Sequence, residues 1–184
     1  MKKREYSWID VENMCIDIVS QMYKDKWTPD YIVGITRGGN VPATIISNML
    51  GIRCEALKVS LRDDDSECEH NWWMAEDAFG IIPEDEIPVF KSRWDVDRRK
   101  NILIVDDIND TGSTIKWIKD DWKQACFPDE DWDKIFGGNV KFATLTDNLS
   151  SCQTVEYSSD EVNKAEEDIW LIYPWESVGK LSVK

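Results

Sequence analysis

Ile102-Leu103-Ile104-Val105-Asp106-Asp107-Ile108-Asn109-Asp110-Thr111-Gly112-Ser113-Thr114 passes from apolar to acidic to hydroxyl-bearing residues within one short run. Its first four residues, mostly β-branched, predict a short buried strand of the kind found in parallel sheets. That strand ends on two carboxylates, Asp106 and Asp107. After a two-residue spacer come Asp110 and the small residues Thr111–Thr114, and then a helical pattern, Ile115-Lys116-Trp117-Ile118. Gly112 permits a backbone conformation closed to residues with a Cβ, so successive N–H groups can converge on one point. The helix N-terminus adds its dipole and the Thr and Ser hydroxyls add donors, so the loop suits a phosphate monoester. Carboxylates cannot hold a phosphate. Asp106 and Asp107 therefore serve something else, and a ribose diol and a hydrated Mg²⁺ are the partners expected at the carboxyl end of such a strand. A capped helix start would account for one of these acids but not for three.

Upstream, Tyr31–Ile35 reads as a second buried strand. It is followed by Thr36-Arg37-Gly38-Gly39-Asn40-Val41-Pro42 and by a helix from about Pro42 to Leu50, stopped by Gly51. This is again a strand, a turn and a helix. Two glycines let backbone approach a ligand closely, and the Arg37 guanidinium offers a fork of donors suited to phosphate oxygens. Cys54–Ser60 alternates as a strand, with Lys58 near its carboxyl end, either reaching phosphates or simply facing water. Before these, residues 7–24 predict an amphipathic helix capped at Ser7 or Asp10 and broken by Thr28-Pro29-Asp30. From Leu61 to Arg99 the chain is acidic, loop-like and rich in Trp, longer than an ordinary connection, and reads as an insertion around Trp72–Pro88. After the helix near Ser113–Ala125, a strand is expected at Val140–Thr146. The last apolar segment is Asp168-Ile169-Trp170-Leu171-Ile172-Tyr173-Pro174-Trp175-Glu176.

A chain of 184 residues, 42% of them hydrophobic, fits one domain spanning 1–184 with a sizeable core. No apolar run approaches the ~20 residues that span a bilayer, so no membrane association and a cytoplasmic location are expected. Five cysteines without a Cys-x-x-Cys pair point to reduced thiols rather than zinc, and a single histidine, His70, gives His-based triads little support. The net charge of −14 argues against nucleic acid as a partner. It does not exclude an anionic sugar phosphate. Charges beyond a Debye length of ~8 Å are largely masked, so local donors and Mg²⁺ govern binding.

The 102–114 run resembles the phosphoribosyl-pyrophosphate (PRPP) motif of the type I phosphoribosyltransferases at every defining position. Gly34–Ala43 resembles that family's Arg-Gly-Gly pyrophosphate loop. Residues 168–176 resemble the hood of the xanthine–guanine and hypoxanthine subgroup. The resemblance implies a doubly wound α/β domain with a mainly parallel sheet, a small C-terminal hood within 147–184, and a long inserted loop or lid at 61–100. It implies Mg²⁺-dependent transfer of the phosphoribosyl group of PRPP to a nucleobase, a 6-oxopurine, with release of pyrophosphate, by a homo-oligomer, in the first instance a dimer. Asp106 and Asp107 would hold the ribose hydroxyls and the metal, and Asp110 would be catalytic. Residues Asp110, Thr111, Gly112, Ser113 and Thr114 would bind the 5′-phosphate, and Arg37, Gly38, Gly39 and Lys58 the pyrophosphate. Trp170 would stack on the base and Leu171 would read its edge. Where the subgroup has a lysine that contacts the 6-oxo group, this chain has Asn148, which can donate without charge and can also accept. Two rivals from other classes are a non-catalytic PRPP-binding regulatory protein of the same fold and a receiver-like α/β domain. The Asp-Thr-Gly-Ser-Thr loop is foreign to the latter.

Overall fold

Ile102, Leu103, Ile104 and Val105, like Tyr31, Ile32, Val33 and Ile35, are buried on successive positions, which only a strand covered on both faces allows. The computed structural model describes residues 2–61, 68–87, 93–124 and 132–176. Its strands are β1 (Lys2–Glu5), β2 (Tyr31–Thr36), β3 (Cys54–Lys58), β4 (Ile102–Asn109), β5 (Val140–Asn148), β6 (Tyr157–Val162) and β7 (Ile169–Ile172). Its helices are α1 (Trp8–Lys24), α2 (Asn40–Leu50), α3 (Trp72–Phe79), α4 (Ser113–Gln124) and the short α5 (Trp132–Ile135).

Five strands pair in the order β3-β2-β4-β5-β6, all parallel. The pleat sends neighbouring side chains to opposite faces, and two cores result. Leu103 and Val105 join Val11, Ile18, Ala43 and Ile46 on one face, under α1 and α2. Ile102 and Ile104 join Met74, Phe79, Ile118 and Trp122 on the other, under α3 and α4. This is the expected doubly wound arrangement. The chain leaves β2 toward β3 and then crosses to β4 on the opposite side, so the order switches between β2 and β4. Crevices of that kind are where parallel sheets bind ligands.

β4, β5, α3 and the hood differ from expectation. β4 does not stop at the acids but runs through Asp106 and Asp107 to Asn109, because β5 pairs alongside it as far as Asn109↔Asp147. β5 accordingly extends to Asn148. α3 lies within the stretch expected to be an inserted loop, yet Met74, Ala75, Ala78 and Phe79 are fully buried. One face of α3 is therefore part of the core. Of the proposed 61–100 lid, Asp63, Asp64 and Asp65 lie outside the described residues. The hood is not built from the C-terminal segment alone either, since β1 pairs parallel with β7 and carries the chain's start into it. Tyr6 stacks on Tyr173 at 5.1 Å between ring centroids, and Tyr173 stacks on Trp175 at 4.9 Å. Arg4 and the Tyr6 hydroxyl both reach the Asp160 carboxylate of β6, at 2.7 and 2.6 Å. Among the described residues, no helix is long and apolar enough to cross a membrane.

Candidate active site

The turn after β2 and the acidic stretch of β4 meet at the switch point in close contact, at Gly38 against a side chain and at Gly39 against backbone. A Cβ built on Gly38 would fall 1.8 Å from Asp107 Oδ2. One built on Gly39 would fall 2.4 Å from the Val105 carbonyl oxygen, 2.7 Å from Asp106 Cα and 2.8 Å from the Ile35 carbonyl oxygen. The Thr36–Arg37 peptide is cis. Gly39 opens α2 without any side-chain cap, and the Asn40 and Val41 N–H groups donate instead to the Arg37 and Gly38 carbonyls, at 3.3 and 3.2 Å. Arg37 is exposed, and the register Thr36↔Lys58 sets Lys58 beside this turn at the end of β3. The predicted pyrophosphate set is thus gathered at one sheet edge against Asp106 and Asp107. Both acids are half-buried, and Asp106 Oδ1 accepts from the Asp107 backbone N–H at 2.9 Å.

The Thr111–Thr114 loop is fastened from below. Gly112 has φ +83°, and a Cβ there would lie 2.8 Å from Cys152 Sγ, from Gln153 N and from Ser151 Oγ. Only glycine fits both the conformation and the space. The Cys152 N–H donates to the Thr111 carbonyl, and the Ser113 N–H donates to Thr111 Oγ1. Thr111 and Ser113 are exposed at the start of α4, with their hydroxyls 2.8 Å apart. A ring of N–H and O–H donors at a helix N-terminus is a site for an anion.

Two residues that the sequence did not single out hold this arrangement. Asn109 is 3% exposed; its amide donates to Asp147 Oδ1 and the Gln153 carbonyl, and its Oδ1 accepts from Ser151 Oγ at 2.9 Å. It stands in a spacer position of the motif, where nothing in the local pattern marks it. The Tyr173 hydroxyl donates to the Asp107 carbonyl at 3.0 Å and lies 2.9 Å from Thr146 Oγ1, tying the hood to the backbone of the acidic pair. Burial pushes that phenol well above its ordinary value, and the nearby charge of Asp107 adds to the shift. The aromatic run around Tyr173 announces packing but not this bond.

Asn148 is placed differently from the expectation that it faces a base. It is 5% exposed and turned into the fold. Its amide donates to the Asp110 carbonyl at 2.8 Å, and its Oδ1 accepts from Ser150 Oγ, Ser150 N and the Lys164 N–H. The physical reason is the length of β5, which carries position 148 into the ladder opposite Val162. Asp110 itself is half-buried, and the Lys164 ammonium stands 2.9 Å from its Oδ1. On β7, Trp170 is exposed while Leu171 is buried against the first core.

Asp106 and Asp107 bring oxygen donors of the kind a hard divalent cation takes. Among the described residues, no group of three or more His, Cys, Asp or Glu is gathered that could hold a metal. A pair of adjacent carboxylates in the carboxyl half of β4 suits Mg²⁺, which keeps much of its water and takes further oxygens from a phosphorylated substrate. A separate polar cleft, lined by Glu76, Asp77, Arg93, Arg98 and Lys100 among others, lies at the entry to β4 and away from these residues.

A family model, the phosphoribosyl transferase domain, matches residues 7–175. The chain is 30% identical over 146 residues to the xanthine-guanine phosphoribosyltransferase of Cereibacter sphaeroides, across 79% of this chain and 68% of that one. To the hypoxanthine-guanine phosphoribosyltransferase of Schizosaccharomyces pombe it is 26% identical over 197 residues, across 94% and 88%. Among solved structures, a purine phosphoribosyltransferase from Pyrococcus horikoshii has the same fold, with a TM-score of 0.62 at 22% identity over the whole of both chains.

Proposed function

The chain belongs to the phosphoribosyl transferase domain family, and from that premise we propose that it transfers the phosphoribosyl group of PRPP to a 6-oxopurine and releases pyrophosphate. One observation carries the reading. Gly38 and Gly39 lie so close to Asp106 and Asp107 that the anion-binding turn and the acidic pair form one site. The fastened Thr111–Thr114 loop follows on the same strand, so three oxygen-rich parts of one substrate find their partners along one edge. The xanthine-guanine and hypoxanthine-guanine names of the relatives support a 6-oxopurine as acceptor.

In this mechanism the Thr111–Thr114 N–H and hydroxyl groups hold the 5′-phosphate, and Asp106 and Asp107 accept from the ribose hydroxyls. Arg37, the Gly38 and Gly39 N–H groups and Lys58 take the pyrophosphate, with the positive end of the α2 dipole behind them. Asp106 and Asp107 would also hold Mg²⁺, which when bound neutralises charge on the leaving pyrophosphate. As the C1′–O bond lengthens, the sugar ring becomes cationic, and the Asp110 carboxylate supplies negative charge beside it. A base nitrogen forms the new bond to C1′, and Asp110 accepts the proton that the base gives up. Trp170 offers an exposed ring for the base, a stacking contact worth ~1–3 kcal/mol. Leu171 presents its backbone beside it.

The test is a screen of purine and pyrimidine bases with PRPP and Mg²⁺, following pyrophosphate release. Turnover with hypoxanthine, guanine or xanthine is the expected result. Tight PRPP binding without release on any base would instead favour a PRPP-responsive regulatory protein.

A further inference from the structure

Lys164 stands in no motif of the sequence, yet its ammonium is one of the few positive charges at the site. It lies in the turn between β6 and β7, and this turn is built to hold one shape. The Asn163 carbonyl accepts the Glu166 and Glu167 N–H groups, and Asn163 Oδ1 accepts that of Ala165. The Lys164 N–H is itself taken by Asn148 Oδ1 at 3.0 Å. Asn148 in turn donates to the Asp110 carbonyl, so one buried amide sets the backbones of Asp110 and Lys164 relative to each other. Their side chains then meet at 2.9 Å, with that of Lys164 24% exposed and that of Asp110 39% exposed. The pair is neither sealed in the core nor free in solvent.

We infer that Lys164 is a base-selecting residue, which works with Asp110 to bind the purine edge that carries N7 and the 6-substituent. The inference rests on the phosphoribosyl-transfer reading above. An ammonium has three N–H donors and no acceptor; the Asp110 carboxylate takes one and leaves donors for a neighbouring oxygen. In a 6-oxopurine the ring nitrogen N7 and the 6-oxygen lie side by side on one edge. A carboxylate that accepts the N7 proton and an ammonium that donates to the 6-oxygen match that edge. An aminopurine presents N–H donors at position 6, which would meet the ammonium donor to donor. Lys164 thus supplies from the β6–β7 turn the charged donor that position 148, committed to the fold, does not offer.

The experiment measures KM for hypoxanthine and for PRPP separately, with thermal stability, in the wild type, Lys164→Met and Lys164→Arg. Loss of a charged hydrogen bond to the base predicts a rise in KM for hypoxanthine of roughly ten- to hundredfold in Lys164→Met, with Lys164→Arg recovering part of it. KM for PRPP is expected to change by less than about threefold, because no phosphate or ribose contact is removed. An unchanged KM for hypoxanthine, or equal rises in both KM values, overturns the inference and leaves Lys164 as a structural partner of Asp110. If the methionine variant does not fold, Lys164→Gln keeps a neutral donor; about a tenfold rise is expected, and none refutes the proposal in the same way. No pyrophosphate release by the wild type with any base overturns the transfer reading itself, and base selection with it.

Discussion

Alanine at Gly38 and alanine at Gly39 should fail in different ways, although the two positions are adjacent. Around Gly39, the atoms that a Cβ would meet are all backbone: the Val105 and Ile35 carbonyl oxygens and Asp106 Cα, at 2.4 to 2.8 Å. No side-chain rotation relieves those contacts, so the turn and β4 must move apart. Overpacking of this kind typically costs 1–3 kcal/mol, offset by ~0.4–1 kcal/mol from the lower freedom of alanine in the unfolded chain. A net loss of about 1–2 kcal/mol lowers Tm by roughly 2–8 °C in a domain of this size. Around Gly38 the three nearest atoms all belong to the Asp107 carboxylate, at 1.8, 2.5 and 3.1 Å. That side chain can rotate away, so Gly38→Ala should leave Tm nearly unchanged. The carboxylate is then absent from the place where the proposed ribose and Mg²⁺ contacts require it. Loss of a charged hydrogen bond is worth about 1.5–3 kcal/mol, which is roughly ten- to hundredfold in PRPP affinity. Thermal melts with and without PRPP and Mg²⁺ read both quantities. Wild-type PRPP affinity in Gly38→Ala would refute the role given to Asp107, and an unchanged Tm in Gly39→Ala would refute the backbone-contact argument.

Asp110→Asn should keep PRPP affinity and lose roughly 10²-fold or more in turnover, since a positioned acid–base group contributes 10²–10⁴-fold; equal losses in binding and rate would make Asp110 a binding residue only. Asn148→Lys should destabilise rather than improve the protein, because it removes an acceptor of three hydrogen bonds; a loss of about 2 kcal/mol or more is expected, seen as a Tm lower by roughly 4–8 °C. Stability should also fall in alkali. Burial pushes the Cys15 thiol from its ordinary 9.0 up to about 12, and burial likewise raises the phenols of Tyr31, Tyr157 and Tyr173 above their ordinary 10.0. A raised folded value means that the folded state holds the proton more tightly, so this stability is complete below about pH 9 and drains as pH rises from there toward 12. Chemical denaturation at pH 8, 9, 10 and 11 measures it, and a flat profile would contradict the burial of these groups.

The two turns proposed to bind phosphate groups were legible because their chemistry is local. Gly112 with its hydroxyl neighbours, and Arg37-Gly38-Gly39 between a strand and a helix, each state within a few residues where an anion can sit. Strand length was not legible in the same way. Asp106 and Asp107 look like the end of β4 because bare carboxylates oppose burial, and only the pairing with β5 shows that the strand continues beneath them. The same extension decided the fate of Asn148. Alignment placed it opposite a base, whereas the ladder placed it inside, against Val162. Helix α3 was hidden by Trp72 and Trp73, whose exposed rings blur the spacing of the buried Met74, Ala75, Ala78 and Phe79.

β1 shows most clearly why part of the site could not be read along the chain. Lys2-Lys3-Arg4-Glu5 has no apolar residue and no pattern of its own, so propensity and periodicity both say loop. It becomes a strand because β7 offers backbone partners and because Lys2 and Arg4 find carboxylates at Glu167 and Asp160, more than 150 residues later. Exposed and half-exposed ion pairs of this kind contribute little singly, of the order of 0–1 kcal/mol. Together with the ladder and the Tyr6–Tyr173–Trp175 stack, they place Tyr173 where its hydroxyl meets the Asp107 carbonyl. The backbone of an acid at the heart of the site is therefore held through a chain of contacts that begins at the first described residues. Each link is weak or unremarkable in sequence, and the topology alone brings them to one place.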